Sequence, residues 1–128
     1  MFFSHTIKAQ HYNMQLLDKI LELNIWLVDY ECIWDDKERL VAFGRYAGIA
    51  GVVDFFWGIG EFLLTKKYHN PFLYVGSSYM YPNLEGIKVC MQNLGNEITI
   101  KGLPKAFAPY VFAVTSRGWV AQGALETL

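Results

Sequence analysis

Cysteine is scarce in this chain: 128 residues hold only Cys32 and Cys90, far apart and with no Cys-x-x-Cys pair. That argues against a structural zinc site and suits a reduced, intracellular setting. An excess of one charge is also missing. Eleven Lys and Arg stand against twelve Asp and Glu, a net charge of −1. The charges are scattered, so there is no electrostatic footprint for nucleic acid. Nor is there a long uncharged apolar run. Arg45, Asp54 and Glu61 interrupt Leu40–Leu64, and the eight residues Tyr46–Val53 are its longest uncharged stretch. A spanning helix needs roughly 20 apolar residues, so no membrane partner is expected. The opening MFFSHTIKAQ has neither an apolar signal core nor an arginine-rich amphipathic run, and no targeting address is read there. Repeats and low-complexity tracts are absent as well.

What is present is apolar: 53% hydrophobic and 16% aromatic residues, high for a soluble domain. The length allows one ordinary domain that buries about two-thirds of its unfolded surface. Phe2–Ile7 alternates loosely as a short strand would. Asn13 suits an N-cap, Leu16, Leu17, Ile20 and Leu21 follow at helical spacing, and Asn24 suits the C-cap. Ile25–Tyr30 and Arg39–Phe43 are rich in β-formers and flank the turn chemistry of Asp35-Asp36-Lys37. Tyr46 to about Lys67 reads as a helix. Its Gly44/Gly48 and Ala47/Gly51 pairs strip one face of side chains, which admits another backbone or a ligand. Asp54 and Glu61, two turns apart, mark its expected solvated side. A strand at Phe72–Gly76, a helix from Pro82-Asn83 to Leu94 closed by Gly95, and a short strand at Glu97–Ile100 complete the middle. This alternation predicts an α/β fold.

Three places carry chemistry. The C-terminal YVFAVTSRGWVAQGALETL reads as a strand, a glycine turn and the start of a helix, with Gly118 and Gly123 five apart. Free N–H groups at such a helix start suit a pyrophosphate, although Ser116 stands where the first glycine of a G-x-G loop would be. His5, after two phenylalanines, is a candidate acid/base, while lone histidines near strand ends are more often packed or surface residues. Glu31 and Arg39 flank the Asp35–Lys37 turn and can face one another, as ordinary surface ion pairs also do.

Taken together, FFSHTIKAQ, LVDYE, VAFGRYAGIAG, NPFLYVG, GLPKAFAP and VTSRGWVAQGA resemble the lysine-ketoglutarate reductase / saccharopine dehydrogenase family. That reductase is the N-terminal half of α-aminoadipic semialdehyde synthase and a relative of alanine dehydrogenase. The blocks run in the family's order from Phe2 to Glu126. The resemblance implies a Rossmann-like catalytic half-domain joined to the first strand–turn–helix of a truncated dinucleotide-binding domain. Residues 1–103 would be the C-terminal part of the substrate domain and 104–128 the start of the NAD(P)-binding domain. The implied reaction is NADPH-dependent reductive condensation of L-lysine with 2-oxoglutarate to saccharopine.

By the same resemblance His5 is the acid/base, Lys8 tunes its charge and Gln10 positions substrate. Glu31, Arg39 and Phe43 line the substrate pocket. Ser116, Gly118, Val120 and Gly123 belong to the phosphate loop, and no metal is implied. A homo-oligomer is compatible with the family, and the compartment is mitochondrial if the parent is the animal-type bifunctional enzyme. The family's catalytic lysine would precede Met1, and the rest of its nucleotide domain would follow Leu128. The chain is therefore expected to be a piece of the reductase, inactive in isolation. The other expectation is a non-catalytic interaction protein derived from that family, motivated by Ser116 and the bulky Trp119.

Overall fold

The computed structural model describes residues 1–128 and overturns the α/β expectation. In it 58% of the residues are helical and none lies in a strand. Four α-helices carry the fold: α1 (Met14–Glu22), α2 (Gly44–Thr65), α3 (Leu84–Lys101) and α4 (Trp119–Thr127). Single 3-10 turns punctuate the connections, including Pro71–Tyr74 and Ser78–Met80. The chain divides into two compact units, Met1–Phe43 and Gly44–Leu128.

The failed strands share a cause. A β-strand is stable as part of a ladder, and β-rich composition without a paired edge leaves only extended chain. Phe2–Ile7 and Ile25–Tyr30 meet at one parallel bridge, Phe2 with Asp29. Arg39 makes a single antiparallel bridge with Trp34. Tyr110–Val114 forms no backbone ladder, and Val111, Phe112 and Val114 are exposed. Neither the Rossmann-like half-domain nor the opening strand of a dinucleotide domain is supported.

In the first unit α1 ends in a Schellman arrangement. Asn24 takes a left-handed φ of 52°, its N–H bonding the Leu21 carbonyl at 3.1 Å while the Ile25 N–H bonds the Ile20 carbonyl at 3.0 Å. Asn13 precedes α1 as expected but does not cap it with its side chain. Its Nδ2 donates instead to the Ser4 carbonyl at 2.7 Å. The Asp35 turn forms: Asp35 Oδ1 accepts the Lys37 and Glu38 N–H groups at 2.8 and 2.7 Å.

The second unit is built on α2. Val53, Phe56 and Leu63 of α2, Phe72 and Val75 of the following turn, and Leu94 of α3 form its core. Phe56 stacks on Phe72 with centroids 5.3 Å apart, and Phe112 meets both edge-on. The glycines of α2 do what their spacing allowed. A Cβ on Gly48 would lie 1.9 Å from the Val120 carbonyl oxygen, and one on Gly60 2.8 Å from the Phe72 carbonyl carbon. The helix is thus stripped where α4 and the Pro71–Tyr74 turn cross it.

At 22 residues with a mean hydropathy of 1.5 in its most apolar window, α2 has the length and composition of a membrane span. Its inner face is occupied by protein, namely α4 and the 71–74 turn. Asp54 does not mark a solvated side. Half-buried, its carboxylate accepts the Ser77 hydroxyl, the Ser78 N–H and the Ser78 hydroxyl at 2.8, 2.7 and 3.0 Å.

The helix expected to stop at Leu94 runs through Gly95 to Lys101, so Glu97–Ile100 is helical. Ile87, Met91, Leu94 and Ile98 recur at helical spacing and pack in the core, outweighing the roughly 1 kcal/mol cost of one interior glycine. Its N-cap is as read: Asn83 Oδ1 accepts the Gly86 N–H at 3.0 Å.

Candidate functional site

The chemistry of the first unit gathers around two acidic residues, two positions apart, that close the extended run Ile25–Tyr30. Asp29 is only 7% exposed. Its Oδ1 accepts the Glu31 N–H at 2.9 Å and the Ser4 N–H at 3.4 Å, and its Oδ2 takes a very short hydrogen bond from the Ser4 hydroxyl. Burial pushes this carboxyl up. The Ser4 hydroxyl, the Glu31 and Ser4 N–H groups and the nearby His5 together outweigh burial and hold it below the ordinary aspartate range.

Ser4, 1% exposed, is engaged on every polar atom. Beyond its Asp29 bonds, its Oγ lies 2.7 Å from the Thr6 hydroxyl, and its carbonyl accepts from Asn13. His5 therefore sits between two tied residues, in the left-handed region at φ 54°. Its ring points outward, stacked at 22° on Phe3, and Phe3 in turn meets Phe43 edge-on.

Glu31 faces His5. Its Oε1 lies 3.8 Å from His5 Nδ1 and 3.8 Å from Arg39 Nη1. The Glu31 side chain is 13% exposed, and its Oε2 is buried with no hydrogen-bond partner. Arg39 is oriented by its own backbone, Nε donating to the Val41 carbonyl at 3.1 Å. One carboxylate with an unfilled acceptor thus lies between an exposed imidazole and a guanidinium, an arrangement that can bind an amine or pass a proton. Lys8 and Gln10 stand apart from the cluster. The Lys8 N–H donates to Gln10 Oε1 at 3.1 Å across a turn closed by Ala9, and neither side chain reaches Glu31. Phe43 reaches the cluster only through Phe3 and is largely exposed.

In the second unit the expected phosphate loop is a bend ahead of α4. Gly118 is the N-cap of α4 with extended backbone and no side-chain cap. A Cβ there would touch only the Ser116 hydroxyl, at 3.7 Å. That hydroxyl accepts the Gly118 N–H at 3.2 Å, so this N–H is already engaged. Val120 is exposed. Gly123 is buried against α2, where a Cβ would lie 1.9 Å from the Arg45 carbonyl oxygen. Arg45 also forks onto Glu126, Nε to Oε2 at 2.7 Å and Nη2 to Oε1 at 2.5 Å, pinning α4 to α2.

Sequence reasoning did not single out Ser4 and Asp29. The signal was available: an acidic residue inside the β-rich run IWLVDY, and a serine directly before the candidate histidine.

An exposed histidine beside a half-buried carboxylate and an arginine has the residue types of an acid–base site for amine and carboxylate substrates. Over 126 residues, 98% of its length, the chain matches a segment of the α-aminoadipic semialdehyde synthases. It is 51% identical to the α-aminoadipic semialdehyde synthase of Arabidopsis thaliana, and 42% and 43% identical to the mitochondrial enzymes of that name from Mus musculus and Bos taurus. The chain spans 12% of the length of the Arabidopsis protein and 14% of the length of the two mammalian ones. No protein-family model matches it.

Proposed function

We propose that this chain supplies the acid/base and substrate pocket of a lysine-ketoglutarate reductase, within an α-aminoadipic semialdehyde synthase that degrades lysine. The observation that carries the reading is the convergence of His5, Glu31 and Arg39 inside a stretch matched over 98% of the chain.

The reaction joins the ε-amine of L-lysine to the keto carbon of 2-oxoglutarate, loses water to give an imine, and reduces that imine to saccharopine. Protons must move twice, when the carbinolamine forms and when its hydroxyl leaves. His5, exposed and fixed in backbone conformation, exchanges those protons. Glu31 faces the substrate's amine side through Oε1, beside His5 and Arg39. Arg39 pairs with a substrate carboxylate, and Phe43 walls the pocket. Lys8 contributes positive charge, and Gln10 orients substrate from the neighbouring turn.

NADPH, when bound, supplies the hydride. The residues present fit a phosphate in part. The uncapped start of α4 offers N–H groups without intrahelical partners, and Gly118 leaves the approach open. Val120 borders that start. Ser116 takes up one N–H, and Gly123 serves by letting α4 lie on α2. In this reading residues 1–103 complete a substrate domain and 104–128 begin the nucleotide-binding one. The protein is mitochondrial if its parent is of the animal type, whose mouse and cattle relatives carry that word in their names.

The test is a graft. These 126 residues replace the matching segment of the Arabidopsis relative, and NADPH consumption is followed with lysine and 2-oxoglutarate. Retained activity requiring both substrates is expected; a well-folded graft without activity overturns the reading. The second reading, an interaction protein, is favoured by the Ser116 hydroxyl on the Gly118 N–H and by exposed Trp119 beside it. An inactive graft that retains the parent's assembly would support it.

A further inference from the structure

We infer that Asp29 is the positioning residue of the proposed site, a buried carboxylate that sets the imidazole of His5 and the carboxylate of Glu31 at working separation. This rests on the function proposed above.

The geometry is specific. His5 and Glu31 are 26 positions apart, each just beyond one of two extended segments that share one bridge, at Phe2 and Asp29; Glu31 lies in the 3-10 turn Tyr30–Cys32 that Asp29 caps. The bonds around that bridge, Phe2 N–H to the Val28 carbonyl at 3.3 Å and Tyr30 N–H to the Phe2 carbonyl at 3.1 Å, set the register of the two segments. They lie short of His5 and Glu31, and a single bridge leaves the ends free to splay. Asp29 spans the remaining gap. One oxygen gathers the N–H of Glu31 and that of Ser4, and the other takes the Ser4 hydroxyl. The residues so held are the immediate neighbour of His5 and Glu31 itself. A single carboxylate therefore couples both partners of the 3.8 Å pair.

The charge is what the arrangement needs. Three donors converge on two oxygens, and a neutral amide would turn an N–H toward one of them. Asp29 itself is only 7% exposed, and both its oxygens are taken up by Ser4 and Glu31 donors. The charged groups of the cluster are His5, Glu31 and Arg39, and of these His5 acts on the Asp29 charge.

Two measurements test the inference. On the ¹⁵N-labelled 128-residue chain, the Ser4 and Glu31 amide resonances are followed from pH 6 to pH 2. Both are expected to move with one shared midpoint, below the ordinary aspartate range, and the His5 ring signals to shift at that same midpoint. Separate midpoints, or unmoved His5 signals, overturn the inference whether or not the chain belongs to a reductase. In the active graft, Asp29→Asn is expected to lower kcat roughly tenfold to a hundredfold, the scale of a misplaced catalytic group, with KM for NADPH unchanged. Asp29→Glu, which keeps the charge on a longer arm, restores part of the loss. An active graft whose kcat stays within twofold after Asp29→Asn refutes the positioning role while leaving the proposed function standing. An inactive unaltered graft refutes the function and leaves the titration to decide the coupling.

Discussion

Asp29 and Asp54 do the same physical task in the two units: each gathers loop N–H and hydroxyl donors that would otherwise be left without partners. For Asp54 the Ser78 N–H acts most strongly, burial opposes it and the two serine hydroxyls add to it, so its carboxyl is held below the ordinary range. The sign of the pH dependence follows. A folded-state pKa below the unfolded one, ~4 for aspartate, contributes stability that is fully present above pH ~4. That contribution is lost as pH falls through the depressed value. Thermal melting of the chain should therefore weaken steeply below pH ~4. Asp54→Asn should flatten that slope, and an unchanged slope would exclude Asp54 as a contributor. Asp54→Ala leaves the Ser77 and Ser78 donors without their acceptor and should cost about 1–3 kcal/mol at neutral pH, measured by urea unfolding.

At the scale of elements, the crossing of α2 and α4 decides the second unit. Gly48 has no room for a methyl group, whereas Gly51 of the same helix has open space around it. Gly48→Ala should destabilise by about 1–3 kcal/mol through overpacking. Gly51→Ala should be neutral or stabilise by up to ~1 kcal/mol, since alanine is the better helix former. Equal effects at the two positions would contradict the packing described. Helices were largely legible in the sequence because their information is local: the Asn83 cap, the apolar spacing of α1 and the glycine stripe of α2 each stand within a turn or two of chain. The strands were misread because composition says nothing about a partner edge. IWLVDY and YVFAV have β-forming side chains and, within this chain, at most one bridge. EITI was misread for a related reason. Its short alternation hid the longer helical period of Ile87, Met91, Leu94 and Ile98. The candidate cluster was half legible. His5, Glu31 and Arg39 stand out by type and position, but Ser4 and Asp29 act through burial, which needs the fold.

At the scale of the whole molecule, the proposed function makes these residues part of a larger enzyme's pocket. Trp26, Ile100 and Val111 are strongly exposed. The isolated 128-residue chain, offering an acid/base and part of a pocket, should show no NADPH oxidation above background with lysine and 2-oxoglutarate. A rate abolished by His5→Ala would contradict that expectation. The most direct measurement is the initial rate of saccharopine formation by the Arabidopsis relative carrying this segment, with and without His5→Ala. Activity is expected in the unaltered graft, with a loss of about 100-fold or more in kcat when the imidazole is removed, the scale of general acid–base catalysis. A His5→Ala graft within twofold of the unaltered one would contradict it.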